Sequence, residues 1–302
     1  MVKILFGGGC MKAVEGDCLK TTTIYDNSKL NFEEDSPFEI PRRGGQLHKI
    51  EGNLIVIGGC EGYMKHLDNI EIYNDHKWSV VEDVKLPGKN SCFCSINISD
   101  TSVIIFGGFN GNECLNDVYQ IKSQNDLLEV INLPKLCTRL KNCSIRGNEN
   151  DPTNILLFGG WDEERTLKTI FEYDLEKQNL SMHGLMCIPL EGHAVTNIGP
   201  HNKFAIISGG YDGISVVSSM FLYNYQEKSM KKLDICLKIP RENHCGIYDE
   251  EKKLLYIANG WNGYEALDSI EIFEIINQEP WLIAKSEFFS PTKRNKPSAI
   301  IL

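Results

Sequence analysis

Ile155-Leu156-Leu157-Phe158-Gly159-Gly160-Trp161 is an apolar run stopped by a glycine pair and followed by a large aromatic residue. The pattern occurs six times in the 302-residue chain. Its glycine pairs stand at Gly7-Gly8, Gly58-Gly59, Gly107-Gly108, Gly159-Gly160 and Gly209-Gly210, with Asn259-Gly260 as a degenerate sixth. Their spacings are 51, 49, 52, 50 and 50 residues. So regular a period sets the architecture as a repeat array, read here as one domain. It leaves the chemistry open, because one repeated scaffold carries enzymes, binding platforms and structural parts alike.

Working outward, each repeat divides into four short strands, a to d from the centre. The apolar run is strand b, as in Leu54-Ile55-Val56-Ile57 and Val103-Ile104-Ile105-Phe106; a continuous run of that length fits a strand covered on both faces. About fourteen residues after the first glycine comes an alternating strand c, clearest in Ile70-Glu71-Ile72-Tyr73, Ile170-Phe171-Glu172-Tyr173 and Ile270-Glu271-Ile272-Phe273. The third repeat departs, with Ile121 at the aromatic position and Tyr119 two residues earlier. Strand d is the least regular, with Trp78 and Trp281 expected to pack there. Pro41, Pro87, Pro134, Pro189, Pro240 and Pro291 mark the connection that leaves it, since proline lacks an amide donor. Small residues then recur at one level (Gly44-Gly45, Cys94-Ser95, Cys143-Ser144, Ala194, Cys245-Gly246, Ser298-Ala299), as strands converging on an axis require, and this is strand a.

A period of ~50 residues with a glycine pair after an apolar strand and a later aromatic resembles the kelch repeat, along essentially the whole chain. The resemblance implies an all-β fold: a six-bladed β-propeller of four-stranded antiparallel blades. Departures are Asn259 in place of a glycine, few outer tryptophans, and a longer a-to-b connection from Arg146 to Thr153. The phase of the repeat predicts closure, because the chain opens on strand b and ends on Ser298-Ala299-Ile300-Ile301-Leu302, a strand a that joins the N-terminal blade and covers its edge. The expected blades are 1–40 with 292–302, then 41–86, 87–133, 134–188, 189–239 and 240–291.

Composition narrows the function classes. A formal charge of −10 disfavours general nucleic-acid binding, which needs a basic field. No apolar run approaches the ~20 residues of a membrane helix. Eleven cysteines, an odd count without framework spacing, point to reduced thiols and a cytoplasmic or nuclear setting; sequons at Asn97, Asn142 and Asn179 are the counter-signal.

In antiparallel blades the b-to-c and d-to-a connections emerge together. After the glycine pairs that face collects Phe109, Trp161, Tyr211 and Trp261. After the prolines it collects Arg42, Arg43, Lys89, Arg139, Lys141, Arg241, Lys293 and Arg294. Arginines with aromatics suit carboxylates, phosphates or acidic peptides. The alternative packs the aromatics between blades and ties the cations to neighbours such as Asp162, Glu163, Glu164 and Glu242. His193 and His244 follow their prolines by four residues and project from equivalent places; with no third ligand nearby in sequence, ligand contact or structure is expected there rather than a metal. Phosphate-loop, nucleophile-elbow and zinc-helix motifs are absent, so no cofactor is expected. The residues therefore predict a scaffold or adaptor that binds a short acidic or phosphorylated segment of a protein partner. The resemblance leaves one alternative, since carbohydrate oxidases and sugar-acid mutarotases use kelch-type propellers.

Overall fold

The structure, a computed structural model, describes residues 2–12, 18–62, 64–125, 127–148, 151–199, 203–276, 278–279 and 281–302. Met1, and residues 149 and 150 of the long fourth-repeat connection, lie outside these. Every regular element among the described residues is a strand, and the fold class is the six-bladed β-propeller, with four antiparallel strands to a blade.

The chain divides into two compact units, Met1–Lys141 with Asn295–Leu302, and Asn142–Arg294. The first holds three blades. Its opening sheet runs Ser298–Ile301, Lys3–Gly7, Thr22–Asp26, Asn31–Asp35. The next runs Gln46–Ile50, Asn53–Ile57, Asn69–Asn74, Lys77–Lys85, and the third Cys94–Ser99, Ser102–Phe106, Val118–Gln124, Leu127–Leu133. The second unit holds the remaining three. These run Ser144–Asn148 to Asn179–Leu185, Ala194–Ile198 to Ser229–Cys236, and Cys245–Asp249 to Leu282–Phe289.

Closure follows the phase of the repeat. Ile4 lies opposite Ile301, Leu5 opposite Ile300, Phe6 opposite Ala299 and Gly7 opposite Ser298. The third repeat keeps its register: Ile121 pairs with Val103 as Tyr173 pairs with Ile155, so only the side chain differs.

Strand b is buried on both faces, as its continuous apolar character demands; Val103, Ile104, Ile105 and Phe106 are at most 1% exposed. The cores lie between neighbouring sheets within each unit. One joins Ile57, Ile70 and Phe93 to Ile105 and Tyr119; another joins Ile206 and Leu222 to Leu255 and Phe273. Each such side chain contributes about 1.5–3 kcal/mol through burial. Trp78 is fully buried, edge-on to Phe38 at 4.9 Å, while Trp281 precedes its strand and packs on Phe204 at 4.8 Å.

The glycine pairs are needed for space as well as conformation. A Cβ on Gly108, whose φ is 112°, would overlap the Asn90 amide, and one on Gly107 the Leu140 carbonyl. Asn259 replaces a glycine at φ 61°, a region asparagine tolerates, and its Nδ2 donates to Leu267 O and Ser290 Oγ, both at 3.1 Å.

The expectation that all eleven cysteines are reduced is corrected. Nine are free, whereas Cys94 and Cys143 are disulfide-bonded. Both occupy the small-residue level of an innermost strand, which the sequence presents as a packing position with no pairing signal.

Buried histidines make the fold acid-sensitive. Burial pushes His48 down to about 4 against a partly offsetting bond to Asn97, and lowers His193 to about 3 and His244 well below its ordinary 6.5. The unfolded chain therefore takes up protons first, so this stability is complete above about pH 6.5 and is lost as the pH falls towards about 4. His48 alone should lose about 2 kcal/mol by about pH 5. Unfolding free energies from urea titrations at about pH 7 and about pH 5 are expected to differ by at least that much, and those of a His48→Gln chain to differ less.

Candidate loop-face binding site

In every repeat the connection into strand a contains one residue of left-handed conformation. In the first unit these are Gly44 (φ 62°), Cys92 (φ 54°) and Lys296 (φ 55°); in the second, Asn142 (φ 52°), Gly192 (φ 60°) and Asn243 (φ 53°). They are stitched together by backbone hydrogen bonds. The Gly44 N–H donates to Lys296 O at 3.0 Å and the Cys92 N–H to Gly44 O at 2.8 Å. In the second unit Gly192 donates to Asn142 O at 2.9 Å and Asn243 to Gly192 O at 2.6 Å. The residue just before this step pairs with the residue after the glycine pair: Arg43 with Cys60, Ser91 with Phe109, Glu191 with Tyr211, and Glu242 with Trp261. Thus the two kinds of connection meet within these four blades.

The step also decides which way each side chain points. The position one residue earlier faces inward: Arg42, Asn90, Leu140, Leu190, Arg241 and Arg294 are 0–2% exposed. Arg42 pairs with the Glu71 carboxylate and donates to Gly58 O at 2.6 Å, while Glu71 also accepts the Glu39 and Ile40 N–H groups at 2.8 and 3.0 Å. Arg241 donates to Glu271 at 2.7 Å, to Ser269 Oγ, and to the carbonyls of Asn259 and Ser269, all three at 3.0 Å. Burial lowers Arg294 to about 10, still charged at neutral pH. The sequence expectation that Arg42, Arg241 and Arg294 offer cations to a ligand is therefore corrected: all three are buried, and the guanidinium groups of Arg42 and Arg241 are taken up by backbone carbonyls and by Glu71 and Glu271.

The accessible cations that remain concentrate in the first unit. Lys89 is exposed, and Arg43, Lys141 and Lys296 are half-buried. Lys141 Nζ lies 4.6 Å from the centre of the Phe109 ring, against which His66 stands edge-on at 5.4 Å. His66 Nδ1 is 2.9 Å from Ser91 Oγ, and Lys296 Nζ is 3.2 Å from Cys92 Sγ. His66 is pushed down to about 4, by burial first and then by Arg43, Lys89, Lys296 and Lys141, so four cations act on one imidazole. Burial pushes the Cys92 thiol up, but the Lys296 ammonium, Ser91 and Lys141 outweigh it and lower it overall. Arg139 stands apart, exposed and paired with Glu113 at 2.6 Å.

No family model matches the chain, and no curated protein matches its sequence.

In the second unit Trp161, Tyr211 and Trp261 are half-buried; Tyr211 bridges Glu191 and Trp261 bridges Glu242, whereas Trp161 bridges Thr166. Glu191 accepts Asn142 Nδ2 at 2.8 Å and Thr166 Oγ1 at 3.2 Å, and Lys293 is tied to Glu265 at 2.5 Å. His193 and His244 are buried; His244 Nε2 meets Ser208 Oγ at 3.0 Å, whereas neither His193 ring nitrogen has a hydrogen-bond partner among the described residues. Among the described residues no three His, Cys, Asp or Glu side chains are grouped to hold a metal ion, and no helix is long and apolar enough to cross a membrane.

Sequence reading missed His66 and Lys296. Lys296 is found by counting back from strand a, because the distance from the proline to the left-handed step varies from Pro41–Gly44 to Pro134–Asn142.

Proposed function

We propose that the protein is an interaction module of kelch type whose first unit binds a short acidic or phosphorylated segment of a partner protein, as a scaffold or substrate-recognition unit. One observation carries this reading: Arg43, Lys89, Lys141 and Lys296 converge on the His66, Ser91 and Cys92 side chains next to the Phe109 ring. Their ammonium and guanidinium groups recognise carboxylate or phosphate, and Phe109 adds apolar contact area. The kelch assignment rests on the glycine pairs and on the Pro-Arg-x-x-His run at Pro240 to His244. Nine free thiols among eleven cysteines favour the cytoplasm or nucleus over a secreted setting.

Charge-assisted hydrogen bonds contribute about 1.5–3 kcal/mol each when shielded. Losing two should therefore weaken binding by far more than tenfold, and at least tenfold if both are partly solvated. In fluorescence anisotropy with a labelled peptide of glutamate and phosphoserine residues, Lys89→Ala combined with Lys141→Gln is expected to raise Kd at least tenfold with the melting temperature nearly unchanged. An unaltered Kd would sink the reading.

A further inference from the structure

We infer that the hairpin loops of the Asn142–Arg294 unit form a separate docking surface for a lysine- or arginine-bearing segment of a partner protein. Two large apolar side chains project at equivalent places in successive hairpins: Ile214 is 88% exposed and Tyr264 90%. Their display is built in. Asp212 Oδ1 accepts the N–H groups of Ile214 and Ser215, both at 2.8 Å, and Asn262 Oδ1 accepts those of Tyr264 and Glu265, also at 2.8 Å. Gly263, at φ 99°, supplies the turn, and a Cβ there would touch Val216 at 3.8 Å, so the two hairpins lie side by side. The backbone that carries them is fixed in this way and loses little freedom on binding, which is what an anchor requires.

Charge selects the occupant. At the level where the first unit places Arg43 beside Cys60, this unit places Glu191 beside Tyr211 and Glu242 beside Trp261. Arg241 and Arg294 are buried and Lys293 is held by Glu265, while the hairpins 161–166, 211–216 and 261–266 carry Asp162, Glu163, Glu164, Asp212 and Glu265 against the single cation Arg165, so the balance of charge is acidic. Carboxylates alternating with half-buried indole and phenol rings suit an ammonium or guanidinium group, which gains from the ring faces as well as from the opposite charge. An acidic segment would meet repulsion here. This inference does not depend on the anion site of the first unit.

The test uses the full chain and a short labelled peptide of alternating lysine and leucine, with its glutamate-for-lysine counterpart as control. The lysine peptide is expected to bind, with affinity falling as salt is raised. Ile214→Ser with Tyr264→Ser should weaken it at least tenfold without moving the melting temperature, because both side chains are in solvent. Lys89→Ala should leave it unchanged. The inference is overturned if the lysine peptide fails to bind, if the double variant binds it as wild type does, or if the glutamate peptide is the one that the double variant loses.

Discussion

Replacing Glu271 with alanine is expected to lower stability by about 3–5 kcal/mol, a larger loss than any surface substitution in this chain. The reason is what would be left behind. Arg241 has no solvent exposure, and its guanidinium would keep its carbonyl and hydroxyl partners but lose the carboxylate bonded to it. The Lys238 and Ile239 N–H groups, which Glu271 now accepts at 2.7 and 3.3 Å, would be stranded as well. An uncompensated buried charge is costlier than a lost contact. For a chain this size the melting temperature should fall by roughly 6–15 °C. Glu271→Gln, which keeps one acceptor oxygen but not the charge, should fall between alanine and wild type. Calorimetry decides the matter: a shift for Glu271→Ala no larger than that of an exposed control such as Glu250→Ala would show that the pair is not a structural clamp.

Ending the chain before Ser298 is the second large effect. The strand Lys3–Gly7 would lose four register partners and become an unpaired edge, and its residues Ile4, Leu5 and Phe6 are at most 1% exposed in the intact chain. Leu47 N–H would lose Ser298 Oγ at 2.7 Å. Buried backbone groups left without partners cost about 1–3 kcal/mol each, so several together exceed the usual stability margin of a domain. An apolar, unpaired edge is also a template for association. The truncated chain is expected to melt at least 10 °C lower, or to aggregate on expression. Melting like the full chain would contradict the observed pairing.

Much of this fold is legible in the sequence because its signals are periodic. The later glycine pairs, the two-sided burial of strand b and the closing strand follow from spacing alone, and even Asn259 reads correctly as a glycine substitute; in the first repeat the left-handed pair is Gly8-Gly9, at φ 65° and 94°, rather than Gly7-Gly8, because Gly7 ends the strand. The candidate site was legible only in part. Arg42 and Arg43 are neighbours of identical chemistry, yet one is sealed against Glu71 and the other lies at the loop surface. What separates them is the left-handed step at Gly44, a backbone property that residue identity signals when it is Gly44, Gly192, Asn142 or Asn243 and conceals when it is Cys92 or Lys296. The same concealment hid Lys296. His66 was missed because it enters through a short hairpin, Cys60–Gly62 with Lys65–His66, that has no strong periodic signature.

These placements divide the loops by charge, and amide hydrogen exchange tests that division most directly. The full chain is compared with and without the glutamate and phosphoserine peptide. Slowed exchange is expected around Arg43 and Gly44, Ser91 and Cys92, Lys141 and Lys296, with no change in the hairpins at Trp161, Tyr211 and Trp261. Protection in those hairpins, or no protection anywhere at saturating peptide, would contradict an anion site built from the accessible cations of the first unit.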